Sequence, residues 1–255
     1  KIPGRDGVGV VEAIGAGVFG WRVGDAVCVL AAPLDDGTSA SHIVCDAARV
    51  VPRPEALTLA QSAALLQPGV SAWAAVTTAA LQPGMRVLEV ACGTGRNLAK
   101  IAKAWPGVRL FGLDISAEML KSARAALGAE ARLGEGDACA FDSQALLGEP
   151  AFERIVLSYS LSMIPDWEGA LDHAAGQLAP EGALHIVDFG DLAGLPRTFA
   201  TALRAWLAKF HVEPRAAMPQ VAARIAAARG MSLASSRGPL GYFQLHVLTA
   251  PPSAQ

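Results

Sequence analysis

A ten-residue stretch, 87–96, constrains this chain more than any other: Val-Leu-Glu-Val-Ala-Cys-Gly-Thr-Gly-Arg, followed by a second apolar run that ends at Asp114. Val87, Leu88 and Val90 read as a short buried strand, Gly93 and Gly95 as a tight turn, and residues 97–105 as a crossover helix. Residues 108–113 then read as a second strand. The acid at its tip stands where a ribose offers two hydroxyls. The spacing predicts a nucleoside-binding βαβ unit.

The turn also says which nucleoside. A dinucleotide fingerprint, Gly-x-Gly-x-x-Gly, needs its third glycine for close helix packing beside a pyrophosphate. Leu98 takes that place here, and a carboxylate, Glu89, precedes the turn. An acid there suits a cationic ligand and opposes a pyrophosphate. The residues Glu-Val-Ala-Cys-Gly-Thr-Gly at 89–95 and Leu-Asp-Ile-Ser-Ala-Glu-Met-Leu at 113–120 resemble class I S-adenosylmethionine-dependent methyltransferases. The resemblance implies an α/β fold, a Rossmann-like sheet with helices on both faces, and S-adenosyl-L-methionine as cofactor. It implies cofactor contacts from Glu89, Ala91, Gly93, Thr94, Gly95, Asp114, Ile115, Met119, Asp137, Ala138 and Ser158. Asp137 would accept from the adenine amine and Ala138 would offer a backbone donor. Met119 reads equally as a cover for the adenine face and as core packing.

At 255 residues, 52% hydrophobic and 17% charged, the chain can bury one large core or a core plus a small appendage. A formal net charge of -2 creates no general basic field, so nucleic acid is not a favoured partner. Cys28, Cys45, Cys92 and Cys139 are far apart and form no Cys-x-x-Cys pair. They predict buried thiols in a reducing compartment and no metal site. No apolar run has spanning length and no leader pattern opens the chain, which predicts a cytoplasmic protein. A start at Lys1 rather than methionine suggests a trimmed chain. Residues 56–85 carry no charge and read as buried helices.

The first third has a different character. Gly7-Val8-Gly9-Val10-Val11, residues 21–27 and His42-Ile43-Val44 read as small-barrel strands. Pro3-Gly4-Arg5-Asp6-Gly7, Val11-Glu12-Ala13-Ile14-Gly15, Val23-Gly24-Asp25-Ala26-Val27 and Val51-Pro52-Arg53-Pro54 resemble the chaperonin-10-like domain of medium-chain dehydrogenases/quinone oxidoreductases. The likeness continues through Ser62-Ala63-Ala64-Leu65 and Ala72-Trp73 to Leu81-Gln82-Pro83-Gly84. Zinc members of that family carry Gly-His-Glu where this chain has Gly4-Arg5-Asp6, so no metal is carried over. The front of the barrel is absent, and the nicotinamide turn gives way to the methyltransferase turn. The reading is a hybrid. Residues 1–80 form a partial small β-barrel, 81–250 a methyltransferase domain, and 251–255 a disordered tail. An NADPH-dependent quinone or alcohol oxidoreductase, and a catalytically inactive hybrid, stay open as alternatives.

Further strands are expected at 131–133, 154–159 and 183–188, with a helix at 117–127. Ligands of open α/β sheets lie beyond the carboxyl ends of strands, which places residues 158–167, Asp188 and Asp191 on the acceptor side. Ser158-Tyr159-Ser160-Leu161-Ser162-Met163-Ile164-Pro165-Asp166-Trp167, Val187-Asp188-Phe189-Gly190-Asp191, Gly194-Leu195-Pro196-Arg197 and residues 206–212 resemble the bacterial N-methyltransferases of betaine-lipid synthesis. That likeness implies a small-molecule or lipid head-group amine as partner, such as diacylglycerylhomoserine. Methyl transfer to an amine is an in-line displacement that needs a neutral lone pair, and positioning with desolvation supplies most of the acceleration. Tyr159, Asp188 and His211 are the candidate proton acceptors. Leu195, Phe199, Leu203, Trp206, Leu207 and Phe210 fall on one helical face, with Arg197, Arg204 and Lys209 beside it. That pattern fits a helix packed on the sheet or an interfacial helix in peripheral membrane contact. Arg197, Arg204 and Arg215 are candidate partners for a carboxylate or an anionic lipid surface.

Overall fold

The computed structural model describes residues 2–32, 35–63, 66, 79–195 and 197–253. Ala64, Leu65, Ala72 and Trp73 of the dehydrogenase likeness lie outside the described residues, as do Pro196, nearly half of the uncharged stretch and the last two tail positions. The side chains of Arg197 and Phe199 are also undescribed. The chain divides into two compact units, Lys1–Ala74 and Ala75–Gln255.

In the N-terminal unit, β1 (Asp6–Val10), β2 (Ala26–Leu30) and β3 (Val50–Pro52) form an antiparallel sheet in that order. Its buried apolar residues include Val27, Cys28 and Val29, while Val10, Phe19 and Val44 face solvent. Two expected strands are corrected. Residues 21–25 form a turn that hands over to β2, and His42-Ile43-Val44 has no partner strand among the described residues. Val44 is 99% exposed there, because β-branched residues hold a strand only where a neighbour takes their backbone groups. A cavity of about 640 Å³ is lined by Val8, Val10, Ile14 and Val29, with Glu12 and His42 in the lining.

In the C-terminal unit, seven strands form one mixed sheet. They are β4 (Arg86–Val90), β5 (Arg109–Asp114), β6 (Ala131–Glu135), β7 (Phe152–Ser158), β8 (Leu178–Phe189), β9 (Ser232–Arg237) and β10 (Phe243–Thr249). The order is β6-β5-β4-β7-β8-β10-β9, parallel through β8, with β10 antiparallel to both β8 and β9. The helices are α1 (Arg96–Ala104), α2 (Ala117–Leu127), α3 (Ser143–Leu147), α4 (Trp167–Gly176), α5 (Arg197–Ala208) and α6 (Met218–Ala228). One face of the sheet packs Leu88, Ile155, Leu184 and Ile186 with apolar residues of α4 and α6; the other packs Val87 and Leu110 with α1 and α2. Central strands covered on both faces read as continuous apolar runs, which is why β4 stood out.

Local chemistry sets several boundaries. Ser116 Oγ accepts from the Met119 N–H at 3.3 Å and starts α2; Gly128, at φ 53°, ends it. Asp166 does the same for α4, accepting from the Gly169 N–H at 3.0 Å. β8 runs longer than expected because two neighbours hold it: Ser158 on β7 pairs with Val187, and Gln244 on β10 pairs with Asp188. The apolar stripe is shortened at both ends, since Leu195 and Phe210 lie outside α5.

Candidate active site

β4 sits between β5 and β7, where successive connections leave in opposite directions, so a crevice opens at its carboxyl end. The chain leaves through three left-handed residues: Ala91 at φ 56°, Gly93 at 54° and Gly95 at 73°. Gly95 is required. A Cβ there would stand 2.7 Å from Leu127 Cδ1 on α2. A Cβ on Gly93 would meet nothing within 4 Å, so the turn presents bare backbone to open space. Thr94 between them is half-buried.

Two acids flank this turn. Asp114, at the end of β5, accepts from the Gly93 N–H through Oδ2 at 2.8 Å and from the Ser116 N–H through Oδ1 at 2.9 Å. Each oxygen keeps a lone pair for a hydroxyl donor. Glu89 is 3% exposed, and Asn97 Nδ2 donates to its Oε1 at 2.7 Å. Its Oε2 is buried without a partner. Burial pushes the Glu89 carboxyl up to about 7, against the lowering effect of Asn97 and the Leu98 N–H, with the Asp114 charge adding to the rise. An orphaned buried oxygen of this kind is a place for a cation.

The apolar wall lies beside Asp114. Ile115 is 72% exposed and Met119 44%, so the core reading of Met119 is set aside. β6 then leads to Asp137, exposed and accepting from the Cys139 N–H at 2.9 Å, and to buried Ala138. Burial, reinforced by Glu89 and Asp114, pushes the Cys92 thiol up to about 12, which makes it inert filler. Cys45 and Cys139 are only partly buried, unlike the expectation for all four thiols.

Beyond β7 and β8 lies the other half of the crevice. Ser158 ends β7 half-buried, and Tyr159 follows at φ 52° with its N–H donating to the Val187 carbonyl at 2.7 Å. The Tyr159 ring meets Phe189 edge-on at 5.0 Å, and Phe189 meets Tyr242 at 6.0 Å. Burial, then Tyr242 and Asp188, push the Tyr159 phenol up to about 12. It is a phenol at neutral pH and a poor proton acceptor. Asp188 is 1% exposed rather than solvated, accepting from the Ser162 N–H at 3.0 Å and the Phe189 N–H at 2.7 Å. Burial raises its carboxyl above the ordinary range. Asp191 is held by Arg237. His211 lies apart from these groups in sequence, exposed in the turn after α5 at φ 57°.

A polar brace behind this half was not anticipated. Arg215 donates to the Leu161 carbonyl at 3.2 Å and the Ile164 carbonyl at 3.0 Å and pairs with Glu213 at 2.7 Å, so it is engaged in the protein rather than offered to a lipid. Gln244 Nε2 donates to the Phe189 and Arg215 carbonyls, and His246 lies 3.1 Å from its Oε1. Asn97 was likewise passed over; a polar residue in the first turn after an acid-flanked glycine loop was its available signal.

A doubly wound sheet closed by an antiparallel hairpin, with an acid-lined glycine turn at its switch point, is the architecture of a Rossmann-like nucleoside-binding domain. Comparisons with known proteins narrow this. Residues 87–182 match a protein family described as Methyltransferase domain. The chain is 34% identical over 99 residues to trans-aconitate 2-methyltransferase of Streptomyces avermitilis, covering 39% of this chain and 37% of that protein. It is 32% identical over 107 residues to demethylmenaquinone methyltransferase of Thermus thermophilus, covering 41% and 47%. The chain thus spans less than half the length of these curated relatives. Phosphoethanolamine N-methyltransferase 2 of Haemonchus contortus, solved with S-adenosyl-L-methionine, shares the fold at TM-score 0.57 and 15% identity, over 71% of this chain and 52% of that one. The plantazolicin methyltransferase BpumL does so at 0.58 and 16%, over 73% and 86%. The match to a methyltransferase domain runs from β4 into β8 and so spans the strands that carry the acid-flanked turn.

Proposed function

We propose that this chain transfers the sulfonium methyl group of S-adenosylmethionine to the amine of a small or lipid-linked acceptor, with diacylglycerylhomoserine the acceptor its C-terminal segments resemble. The observation that carries the donor half is the unpartnered, buried Oε2 of Glu89, on the strand that leads into a turn of open backbone at Gly93. The residues fit that group. Glu89 has a free acceptor for an ammonium, Asp114 has lone pairs for ribose hydroxyls, and Ile115 and Met119 offer exposed hydrocarbon to an adenine face. Gly93 leaves the backbone beside it open, half-buried Thr94 follows, Gly95 lets α2 approach closely, Ala91 sets the turn, and Asp137 and Ala138 stand at the neighbouring strand end. Once bound, the cofactor supplies an activated methyl carbon.

The acceptor half has groups suited to an amine. Tyr159, Phe189 and Tyr242 offer aromatic surface, and buried Asp188 holds the backbone of the Ser162 and Phe189 positions that border it. Desolvation by such surroundings favours the neutral amine that attacks. The relatives named above are a trans-aconitate and a demethylmenaquinone methyltransferase, and the acceptor proposed here rests on the C-terminal segments alone. Titration calorimetry with S-adenosylhomocysteine, run beside NADPH, tests the reading. Binding of S-adenosylhomocysteine alone supports it, and binding of NADPH alone sinks it. A positive result is followed by turnover assays with free and diacylglyceryl-linked amines.

A further inference from the structure

We propose that α5 and the turn after it form a docking face for an anionic lipid surface. The helix buries little: Ala200 and Leu207 are its fully covered residues among those described, with Leu203 half-buried. Trp206 is 55% exposed and Phe210 58% exposed. Their rings meet edge-on at 5.0 Å, so the pair is ordered and presented outward together. Two adjacent large aromatics left in water on an amphipathic helix make a surface with an intended cover.

Charge selects the cover. Residues 197–212 include Arg197, Arg204 and Lys209 and contain no carboxylate, within a chain whose formal net charge is -2. Arg204 is exposed and uses one nitrogen on the Asp191 carbonyl oxygen; Lys209 is exposed and has no ion-pair partner among the described residues. Glu213, the first acid that follows, is matched by Arg215. An apolar aromatic pair flanked by unmatched cations complements an interface of acyl chains beneath anionic head groups: the rings sit at head-group depth and the long basic stems reach the phosphates.

The placement adds a consequence. The Glu213 N–H donates to the Ser162 carbonyl at 2.8 Å, so the turn after α5 is fastened to the loop that leaves β7, on which Met163 is 53% exposed. Docking would bring the acceptor rim to the lipid. This inference stands on the surface itself and not on the acceptor's identity.

The experiment is co-sedimentation of the full chain with vesicles of phosphatidylglycerol and phosphatidylcholine, and with phosphatidylcholine alone. The expected result is binding to the anionic vesicles, weakened by added salt. Trp206→Ala with Phe210→Ala should lower partitioning at least about tenfold. Lys209→Gln, at an exposed side chain, should lower it about fivefold. The inference is overturned by a chain that stays in the supernatant, by equal binding to neutral vesicles, or by variants that bind as the parent does. It is also overturned if gel filtration shows the double variant splitting a dimer, since the face would then cover a second copy. Failure here leaves the calorimetric test of the donor site untouched.

Discussion

The donor and acceptor halves of the crevice are held in place by different means. On the proposed donor side, each acid is fixed by groups at most 21 residues away: Asp114 by the Gly93 and Ser116 N–H groups, Glu89 by Asn97. On the acceptor side, the rim at 158–164 is held by Arg215, and Phe189 and Arg215 by Gln244, across separations of 29 to 55 residues. A short local lattice can be rebuilt around many acceptors without being disturbed. A long-range brace must be re-solved for each new substrate, so the two halves should respond differently to mutation.

The largest effect should come from Asp114→Ala, which removes the proposed ribose acceptor and the anchor of Gly93. We expect a loss of about 100-fold in S-adenosylhomocysteine affinity by calorimetry with the circular dichroism spectrum retained. Gly95→Ala should follow, costing about 2 kcal/mol in denaturant unfolding, because the new methyl enters a left-handed turn and meets Leu127. Unchanged stability would mean that α2 gives way at no cost.

Glu89 should show itself through pH. Its folded value of about 7 lies above the ordinary carboxyl value, so the folded state binds more protons than the unfolded one between those limits. Stability contributed by the neutral acid is therefore present at low pH and is lost as pH rises through about 7. A cationic ligand draws the opposite way by favouring the ionised form. Affinity for S-adenosylhomocysteine, whose ammonium it would meet, should rise about tenfold from roughly pH 6 to pH 8, and Glu89→Gln should flatten the profile. The smallest effect belongs to Gln244→Ala, which should cost about 1 kcal/mol in stability and lower turnover. Donor affinity should stay within about twofold, since the brace lies in the other half.

These differences also explain what could be read from residues alone. The strand before the glycine turn, the acid after the next strand and the helix from Ala117 to Leu127 depend on nearest neighbours, and each stands where its spacing put it. Helix capping by Ser116 and Gly128 is visible in the same way. His42-Ile43-Val44 misled because β propensity is decided by a partner strand, not by the segment itself. The burial of Asp188 is not legible in the sequence, because the Ser162 N–H that compensates it lies 26 residues away. Arg215 looked like a surface cation because carbonyls at 161 and 164, which hold it, are invisible in composition.

β8 has a further consequence, for how such a chain can diversify. Its pairing with β7 and β10 keeps Leu184 and Ile186 in one layer and sets Asp188 at the rim. Because side chains alternate along a strand, deleting one residue between Leu184 and Asp188 would turn the acid to the face opposite that hydrocarbon. Descendants can lengthen or rewrite residues 190–217 without changing that count. New substrates would then be reached through insertions in the loop and helix beyond the strand, while the strand's own length is inherited unchanged.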